Sequence, residues 1–375
     1  MKILLTGGGT GGHFYPMIAV AQYIRKISEE NKLLQPDIYF VSDQPYDEDL
    51  LFKNNIIFKQ LSTGKLRLYF SIQNFFDIFK TTIAIIRAML MMWSIYPDVV
   101  FTNGGYGAFP MLFAARFFRV PVVVHASDTV PGKVAQWASK FAKKVSIGFP
   151  ETAEYMDKDK TAYTGNPIRR GLAIPLEQGA HEFLKLEKET PTILILGGSQ
   201  GSKTINDIII DILPNLLDKY QVIHQVGKNN FDEVTNRANL ILLDNKYKNR
   251  YRPFKYLDML ALRMSVGASS LIISRAGSSI SELAAWGLPS IVIPITSSAG
   301  DHQRKNAFSY ARTGATIVME ESNLTPHVMI AEIVNLMNNP EKRKRMSDST
   351  KEFSKLDAAE KIAEGILAIA LRHEK

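Results

Sequence analysis

Two glycine-rich stretches offer the clearest chemistry in the chain. The first is Gly7-Gly8-Gly9-Thr10-Gly11-Gly12-His13, after the apolar run Ile3-Leu4-Leu5. The second is Gly197-Gly198-Ser199-Gln200-Gly201, after Thr192-Ile193-Leu194-Ile195-Leu196. Helical patterns follow both, at Ile18 to Ile27 and at Ser202 to Leu217. Glycine leaves no Cβ in the way of an incoming phosphate. A helix start adds free N–H groups and partial positive charge. Each loop is therefore a candidate phosphate cradle, with a tight ligand-free turn as the other reading. Gly7, Gly9 and Gly12 also fit the dinucleotide spacing G-x-G-x-x-G. That fingerprint wants an acidic residue about 20 positions on, and the best candidate, Asp43, lies much further along. His13 stands at the helix start. The helix dipole favours a neutral imidazole there, as a general base requires, while a purely local hydrogen bond is equally open on spacing alone.

Further groups repeat this logic. Gly104-Gly105-Tyr106-Gly107 follows the strand candidate Val99 to Phe101, at a strand's carboxyl end, where ligands bind in open α/β sheets. Ser274-Arg275-Ala276-Gly277-Ser278-Ser279-Ile280-Ser281-Glu282 runs from a strand into a helix. There Arg275 could pair with phosphate, and Glu282 could take two ribose hydroxyls or face solvent as an ordinary helix residue. Asp301-His302-Gln303 could bind sugar hydroxyls, or Asp301 could serve as a helix cap. No His/Asp cluster at metal-ligand spacing occurs, so no metal is expected and phosphate charge would be met by backbone dipoles and arginine.

The elements that must position these groups read as an α/β chain. Unbroken apolar runs at Ile38 to Val41, Asp98 to Phe101 and Val122 to Val124 alternate with amphipathic stretches, as in a buried parallel sheet. The pattern restarts at Thr192, with further strands expected at Gln221 to Val226, Leu271 to Ser274 and Ser290 to Pro294. The 375 residues suit about two domains. The expected division is 1–165 and 166–355. A proline-bearing connector lies around Pro167 to Thr190, and a final helix, 356–375, packs back on the first domain. Both halves read as doubly wound units. There is no cysteine, which excludes a disulfide scaffold. The apolar run at the N-terminus is too short for a signal peptide. A net charge of +8 attracts anions of any kind, without zinc-finger spacing, RNP-like aromatics or an arginine-rich tail. The most apolar stretch, Phe75 to Trp93, contains Asp77, Lys80 and Arg87 and is not expected to span a membrane.

Six motifs in order give the chain a family resemblance. They are Gly8 to His13, Gly104-Gly105-Tyr106, Gly165-Asn166-Pro167-Ile168-Arg169, Gly197 to Gly201, Arg275-Ala276-Gly277 with Ser281-Glu282, and His302-Gln303 with Asn306-Ala307. Together they resemble the glycosyltransferase-B superfamily. Within it they resemble the peptidoglycan family that adds N-acetylglucosamine to undecaprenyl-diphosphate-linked muramoyl pentapeptide. The resemblance runs from Lys2 to the last helix. It implies a GT-B fold, with two Rossmann-like doubly wound parallel-sheet domains facing across a cleft, and an inverting, metal-independent transfer without cofactor. The donor would be UDP-N-acetylglucosamine. The resemblance assigns Thr10, Gly11, Gly12, Asp128, Arg169, Ser199, Arg275, Gly277, Ser278, Ser279, Glu282, His302 and Gln303 to it. Uracil would be read by backbone near Lys255 and Tyr256. Gly104, Gly105 and Tyr106 would face the acceptor diphosphate, and His13 would be the general base on the acceptor 4-hydroxyl.

This sequence departs from the family's pattern at two places. His125-Ala126-Ser127-Asp128 stands where the family often has His-Glu-x-Asn or His-Glu-Ser-Asp, which leaves His125, Asp128 or His13 for proton work. The loop from Arg275 to Glu282 is also one residue shorter than in common members. A lipid-linked acceptor implies contact with a bilayer. The basic and aromatic segment Phe75 to Trp93, with Lys65, Arg67, Lys80 and Arg87, has the form of an interfacial anchor, and Arg116, Arg119, Lys140, Lys143 and Lys144 add charge nearby. The expectation is a peripheral enzyme on the cytoplasmic face of a bacterial membrane, binding an anionic surface and no nucleic acid. A core-facing helix is the other reading of that segment. Another lipid-directed glycosyltransferase and, more remotely, an NAD-binding oxidoreductase are the competing functions.

Overall fold

The computed structural model describes residues 1–8, 11–64, 73–198, 200–296 and 298–373, and the side chains of 73–79, 299 and 373 are outside that description. The chain forms two compact units, Met1–Arg170 with Lys355–Lys375, and Gly171–Ser354.

The first unit is built on seven strands: β1 (Lys2–Thr6), β2 (Asp37–Ser42), β3 (Ile56–Gln60), β4 (Val99–Thr102), β5 (Val122–Ala126), β6 (Lys144–Ile147) and β7 (Thr161–Tyr163). Their order is β3-β2-β1-β4-β5-β6-β7, and every pairing is parallel. Ile3, Leu4 and Leu5 have no exposed surface, because helices cover both faces of a parallel sheet and both sets of alternating side chains must be apolar. One face packs on the helix Gly11–Glu30 through Phe14, Met17, Ile18 and Ala21. The final helix, Ala358–His373, joins the same cluster through Ile362, Ala363, Ile366 and Ala370. Lys26 meets Glu360 at 3.0 Å between these two helices. The other face carries the helices Gln73–Ile95 and Phe109–Phe117, with Ala84, Ala88, Met92, Met111 and Leu112 turned inward.

The second unit has six strands: β8 (Thr192–Leu196), β9 (Gln221–Gln225), β10 (Tyr251–Phe254), β11 (Ser269–Arg275), β12 (Ser290–Ile293) and β13 (Thr316–Val318). Their order is β10-β9-β8-β11-β12-β13, again all parallel. The helix Lys203–Leu217 buries Ile205, Ile209, Leu213 and Leu216 against it.

In each sheet the strand order reverses at one place. Chain direction across the sheet changes between β1 and β4 in the first unit and between β8 and β11 in the second. Loops leaving the carboxyl ends on either side of such a switch point diverge and open a crevice for ligand. The described residues there are 7–8 and 103–105 in the first unit, and 197–198, 200–201 and 276–279 in the second. These are the stretches in which the glycines are concentrated.

Candidate active site

In the first unit the two glycine loops touch. The Gly8 amide donates to the Gly104 carbonyl at 3.1 Å, and the Gly104 amide donates to Thr102 Oγ1 at 3.0 Å. Gly105 has φ +86, and a Cβ there would lie 2.7 Å from the Gly8 backbone. Only glycine meets both demands. The helix Gly11–Glu30 starts directly beyond the first loop, with Gly12 exposed and His13 half-buried. The His13 ring lies beside both loops, because a Cβ on Gly8 would be 3.6 Å from its Nδ1 and one on Gly105 would be 3.6 Å from its Cδ2. The structure thus brings His13, Gly104 and Gly105 together. Tyr106 starts a short turn, Tyr106–Ala108, and is partly exposed. Thr10 lies outside the described residues.

Arg169 is 8% exposed and stacks on Tyr15, with its guanidinium carbon 4.0 Å from the ring centroid. Its buried Nε has no hydrogen-bond acceptor. A desolvated guanidinium over an aromatic face gains about 2 kcal/mol, but an unpaired buried N–H is a cost that an anionic ligand would remove. The last residue of β2 is Ser42, whose hydroxyl donates to the Gly7 carbonyl at 3.3 Å.

The family-variant stretch falls at the end of β5. Ala126 is 3% exposed and packs in the apolar cluster under the sheet, so position 126 contributes only packing. His125 is fully buried, and its two ring nitrogens meet Ser146 Oγ at 2.8 Å and Asn166 Oδ1 at 2.9 Å. Burial lowers its pKa to about 4, so the ring is neutral at pH 7. Both nitrogens being taken, its geometry is that of a structural histidine. Asp128 is half-buried, and its carbonyl accepts from Thr152 Oγ1 at 2.9 Å.

In the second unit Gly201 has φ +76, and a Cβ there would meet the Val226 carbonyl at 2.1 Å, so the loop closes tightly onto the end of β9. Gln225 fastens it further, donating to the Gly198 carbonyl at 3.1 Å and accepting from the Leu257 amide at 2.9 Å. Ser202 caps the next helix by accepting from the Ile205 amide. Ser199 lies outside the described residues. Gly198 and Gly277 have nothing within 4 Å of a Cβ position, so both backbones face open space. Ser278, Ser279 and Glu282 are half-buried at the start of the helix Ile280–Trp286.

Arg275 occupies a different setting from a free phosphate-pairing arginine. It is 9% exposed, with Nη2 donating to Ser202 Oγ at 2.5 Å and to Glu321 Oε1 at 2.7 Å, and Nη1 donating to the Ile293 carbonyl at 3.2 Å. Glu321 neutralises its charge, and the pair links the end of β11 to the segment after β13. Sequence reading missed Glu321, which lies 46 positions away in a polar stretch without motif. The hydrogen bonds to Arg275, together with one from Thr204, outweigh burial and hold the Glu321 carboxyl below its usual range.

After β12 the chain turns through Gly300 (φ 67) and Asp301 (φ 58). Left-handed backbone at a non-glycine residue is strained and marks sites that the surroundings hold in place. Asp301 makes no side-chain cap. The Gln303 side-chain oxygen accepts from the Ile295 amide at 3.1 Å, which leaves its NH2 as the group to offer a ligand. His302 is half-buried beside it. Near the end of β10, Lys255 stacks over Phe231 at 5.0 Å. Among the described residues no group of three or more His, Cys, Asp or Glu side chains is placed to hold a metal ion.

The helix Gln73–Ile95 has two faces. Ala84, Ala88 and Met92 are buried, while Ile83, Ile86, Leu90 and Trp93 are 52 to 71% exposed. Arg87 and Lys80 are exposed on the same helix. The neighbouring helix Phe109–Phe117 adds exposed Phe113, Phe117 and Arg116. No described helix is long and apolar enough to cross a membrane. Lys65 and Arg67 lie outside the described residues, as do the side chains of Phe75, Phe76 and Phe79.

Comparison with known proteins places this geometry in a family. Residues 3–147 match the glycosyltransferase family 28 N-terminal domain, and residues 192–362 match its C-terminal domain. The UDP-N-acetylglucosamine–N-acetylmuramyl-(pentapeptide) pyrophosphoryl-undecaprenol N-acetylglucosamine transferase of Clostridium tetani is 35% identical over 353 residues, 93% of this chain and 94% of that protein. The Clostridium botulinum protein of the same name is 36% identical over 345 residues, covering 90% of this chain and 91% of that protein. The crystal structure of Acinetobacter baumannii MurG superimposes with a TM-score of 0.72 at 23% identity, over 98% of this chain and 99% of that one. A Neisseria meningitidis UDP-GlcNAc 2-epimerase bound to UDP-GlcNAc shares the fold at a TM-score of 0.68 and 17% identity, over 98% of this chain and 100% of that one. The chain has the GT-B fold and is a glycosyltransferase, belonging to glycosyltransferase family 28 and, within it, to the family of pyrophosphoryl-undecaprenol N-acetylglucosamine transferases.

Proposed function

We propose that this protein transfers N-acetylglucosamine from UDP-N-acetylglucosamine to the 4-hydroxyl of undecaprenyl-diphosphate-linked N-acetylmuramoyl pentapeptide, the step from lipid I to lipid II. The observation that carries the reading is identity at 35% over 93% of the chain to a curated transferase of that name.

In this reading the second unit takes the donor. Ser199 and the amides of 197–201 receive a phosphate, supported by the start of the helix Lys203–Leu217. Glu282 accepts from the two ribose hydroxyls, the Gln303 NH2 and His302 meet the sugar, and Gly277, Ser278 and Ser279 frame the nucleotide. Backbone near Lys255 and Tyr256 reads the base. Arg275 acts through Ser202 and Glu321 and does not touch phosphate directly. The first unit supplies Thr10, Gly11, Gly12 and Arg169 as anion-binding groups. Gly104, Gly105 and Tyr106 face the acceptor diphosphate. Asp128 stays a donor contact, and His125 is a positioning residue.

The reaction is an inverting displacement. The acceptor oxygen attacks the anomeric carbon as the bond to the β-phosphate oxygen breaks. UDP leaves with the electron pair, and His13 takes the acceptor's proton. Helix starts and glycine amides stabilise the leaving diphosphate without a metal. The exposed Ile83, Ile86, Leu90, Trp93 and Phe117 with Arg87 and Arg116 support peripheral binding to an anionic cytoplasmic leaflet. NMR of the product linkage tests the stereochemistry, with chelator present. A β-linkage formed at an undiminished rate in EDTA is expected; an α-linkage, or a rate abolished by EDTA and restored by a divalent cation, would reject the mechanism.

A further inference from the structure

The helix that carries His13 contains a defect that another part of the unit repairs. Pro16 lies inside the helix Gly11–Glu30. A proline has no N–H, so the carbonyl four residues before it loses its helical donor, and the ring also crowds that carbonyl. That carbonyl belongs to Gly12, next to the proposed base. Asn103, 4% exposed at the end of β4, supplies the missing donor. Its Nδ2 reaches the Gly12 carbonyl at 3.1 Å and the His13 carbonyl at 3.4 Å.

Asn103 is itself aimed by a chain of neutral hydrogen bonds. Ser127 Oγ donates to Asn103 Oδ1 at 2.7 Å, which fixes the amide with its NH2 toward the helix. The Ser127 carbonyl accepts from Asn166 Nδ2 at 2.9 Å. Asn166 Oδ1 meets His125 Nε2, and His125 Nδ1 meets Ser146 Oγ. Since Asn166 Oδ1 can only accept, Nε2 carries the ring proton and Nδ1 accepts from Ser146. The relay therefore joins the carboxyl ends of β4, β5 and β6 and the segment after β7 to the first turn of the His13 helix. It contains no carboxylate, in keeping with Ala126. It also gives one purpose to three motifs, at 103–105, 125–128 and 165–169, that otherwise have none in common.

We propose that Asn103, held by Ser127, is a positioning residue that restores the helix turn broken by Pro16 and so fixes His13 for proton abstraction. The inference rests on the function proposed above only in naming His13 as the base. Both hydrogen-bonding groups of Asn103 are spent within the unit, so its effect on the reaction passes through His13.

The defect makes the test specific. In Asn103→Ala the Gly12 carbonyl is left without a donor, while Pro16→Ala returns the helical N–H and makes Asn103 dispensable. The experiment measures sugar transfer from UDP-N-acetylglucosamine to a short-chain lipid I analogue by the full chain, with Asn103→Ala, Ser127→Ala and Asn103→Ala/Pro16→Ala. Asn103→Ala should lower kcat at least tenfold with donor KM within twofold, and Ser127→Ala, which removes one hydroxyl, about threefold. The double variant should recover most of the loss. In parallel, NMR of isotope-labelled histidine, with His13 assigned from His13→Gln, should show the His13 ring signal shifted in Asn103→Ala and returned in the double variant. A folded Asn103→Ala or Ser127→Ala with parental kcat and an unmoved His13 signal would overturn the proposal, as would a double variant no better than the single. An inactive parent would reject the function and leave the NMR result to judge the positioning.

Discussion

The guanidinium of Arg275 and the carboxylate of Glu321 meet at 2.7 Å with side chains only 11 and 15% exposed. Through the same arginine the pair holds Ser202, which caps the helix after the glycine loop, and the end of β12. Through Glu321 Oε2 it holds the Thr296 amide, one residue beyond the Ile295 amide that binds Gln303. One ion pair thus ties the glycine loop to the proposed sugar-binding turn. Removing one partner of a largely buried pair strands the other charge and typically costs about 3 kcal/mol. Glu321→Ala should lower the melting temperature of the second unit clearly, and Glu321→Gln, which keeps an acceptor for Arg275, by less. Calorimetry of the three proteins checks this, and equal melting for all three would contradict the brace.

Glu282 is expected to act on the donor. It is half-buried at a helix start and lies outside the apolar core. Loss of hydrogen bonds to a charged group removes about 1.5 to 3 kcal/mol. Glu282→Ala should therefore raise the donor KM by roughly 10- to 100-fold, with parental acceptor KM. Isothermal titration with UDP checks this directly, and an unchanged affinity would remove Glu282 from the donor site.

Much of this was legible in the sequence, for physical reasons. The glycine loops lie at the strand ends where the chain reverses its direction across each sheet, and at Gly105 and Gly201 only a Cβ-free backbone fits. The long apolar strands were readable because parallel strands are buried on both faces. Shorter elements were not. The strand Ile56–Gln60 is exposed along much of its length, and Thr161–Tyr163 and Thr316–Val318 have three residues each, too few to display a period. The setting of Arg275 was hidden because its partner is remote in sequence. His125 looked chemical because histidine usually titrates near neutrality, whereas complete burial removes it from that range. The gap at Pro16 and its repair by Asn103 were not read from the sequence, because the repair depends on β1 and β4 being neighbours.

Acidification should weaken the fold through its buried histidines. Burial lowers His125 to about 4 and His224 to about 3, from the ordinary 6.5. Between those values and 6.5 the unfolded chain binds protons that the folded chain refuses, so stability falls as pH drops through this window. The His125 share alone approaches about 3 kcal/mol below pH 4. Melting temperature should decline steadily from pH 7 to pH 4.5, and His224→Phe should flatten the decline. A flat profile in the parent would show that these rings protonate without penalty.

The exposed face on the helix Gln73–Ile95 gives a separable prediction. Leu90 and Trp93 are 62 and 71% exposed, so Leu90→Asp/Trp93→Asp should leave melting unchanged. Sedimentation with anionic vesicles at low salt should be lost, while transfer to a water-soluble acceptor analogue is retained. Parental sedimentation by the double variant would move the membrane contact elsewhere.

The central claim is met most directly by one assay. The purified chain is incubated with UDP-N-acetylglucosamine radiolabelled in the sugar and a short-chain lipid I analogue, and label in the lipid product is counted. One labelled N-acetylglucosamine per acceptor, UDP released in equal amount, and a rate reduced by at least tenfold in His13→Ala are expected. Parent protein that transfers no label to the analogue would contradict the claim.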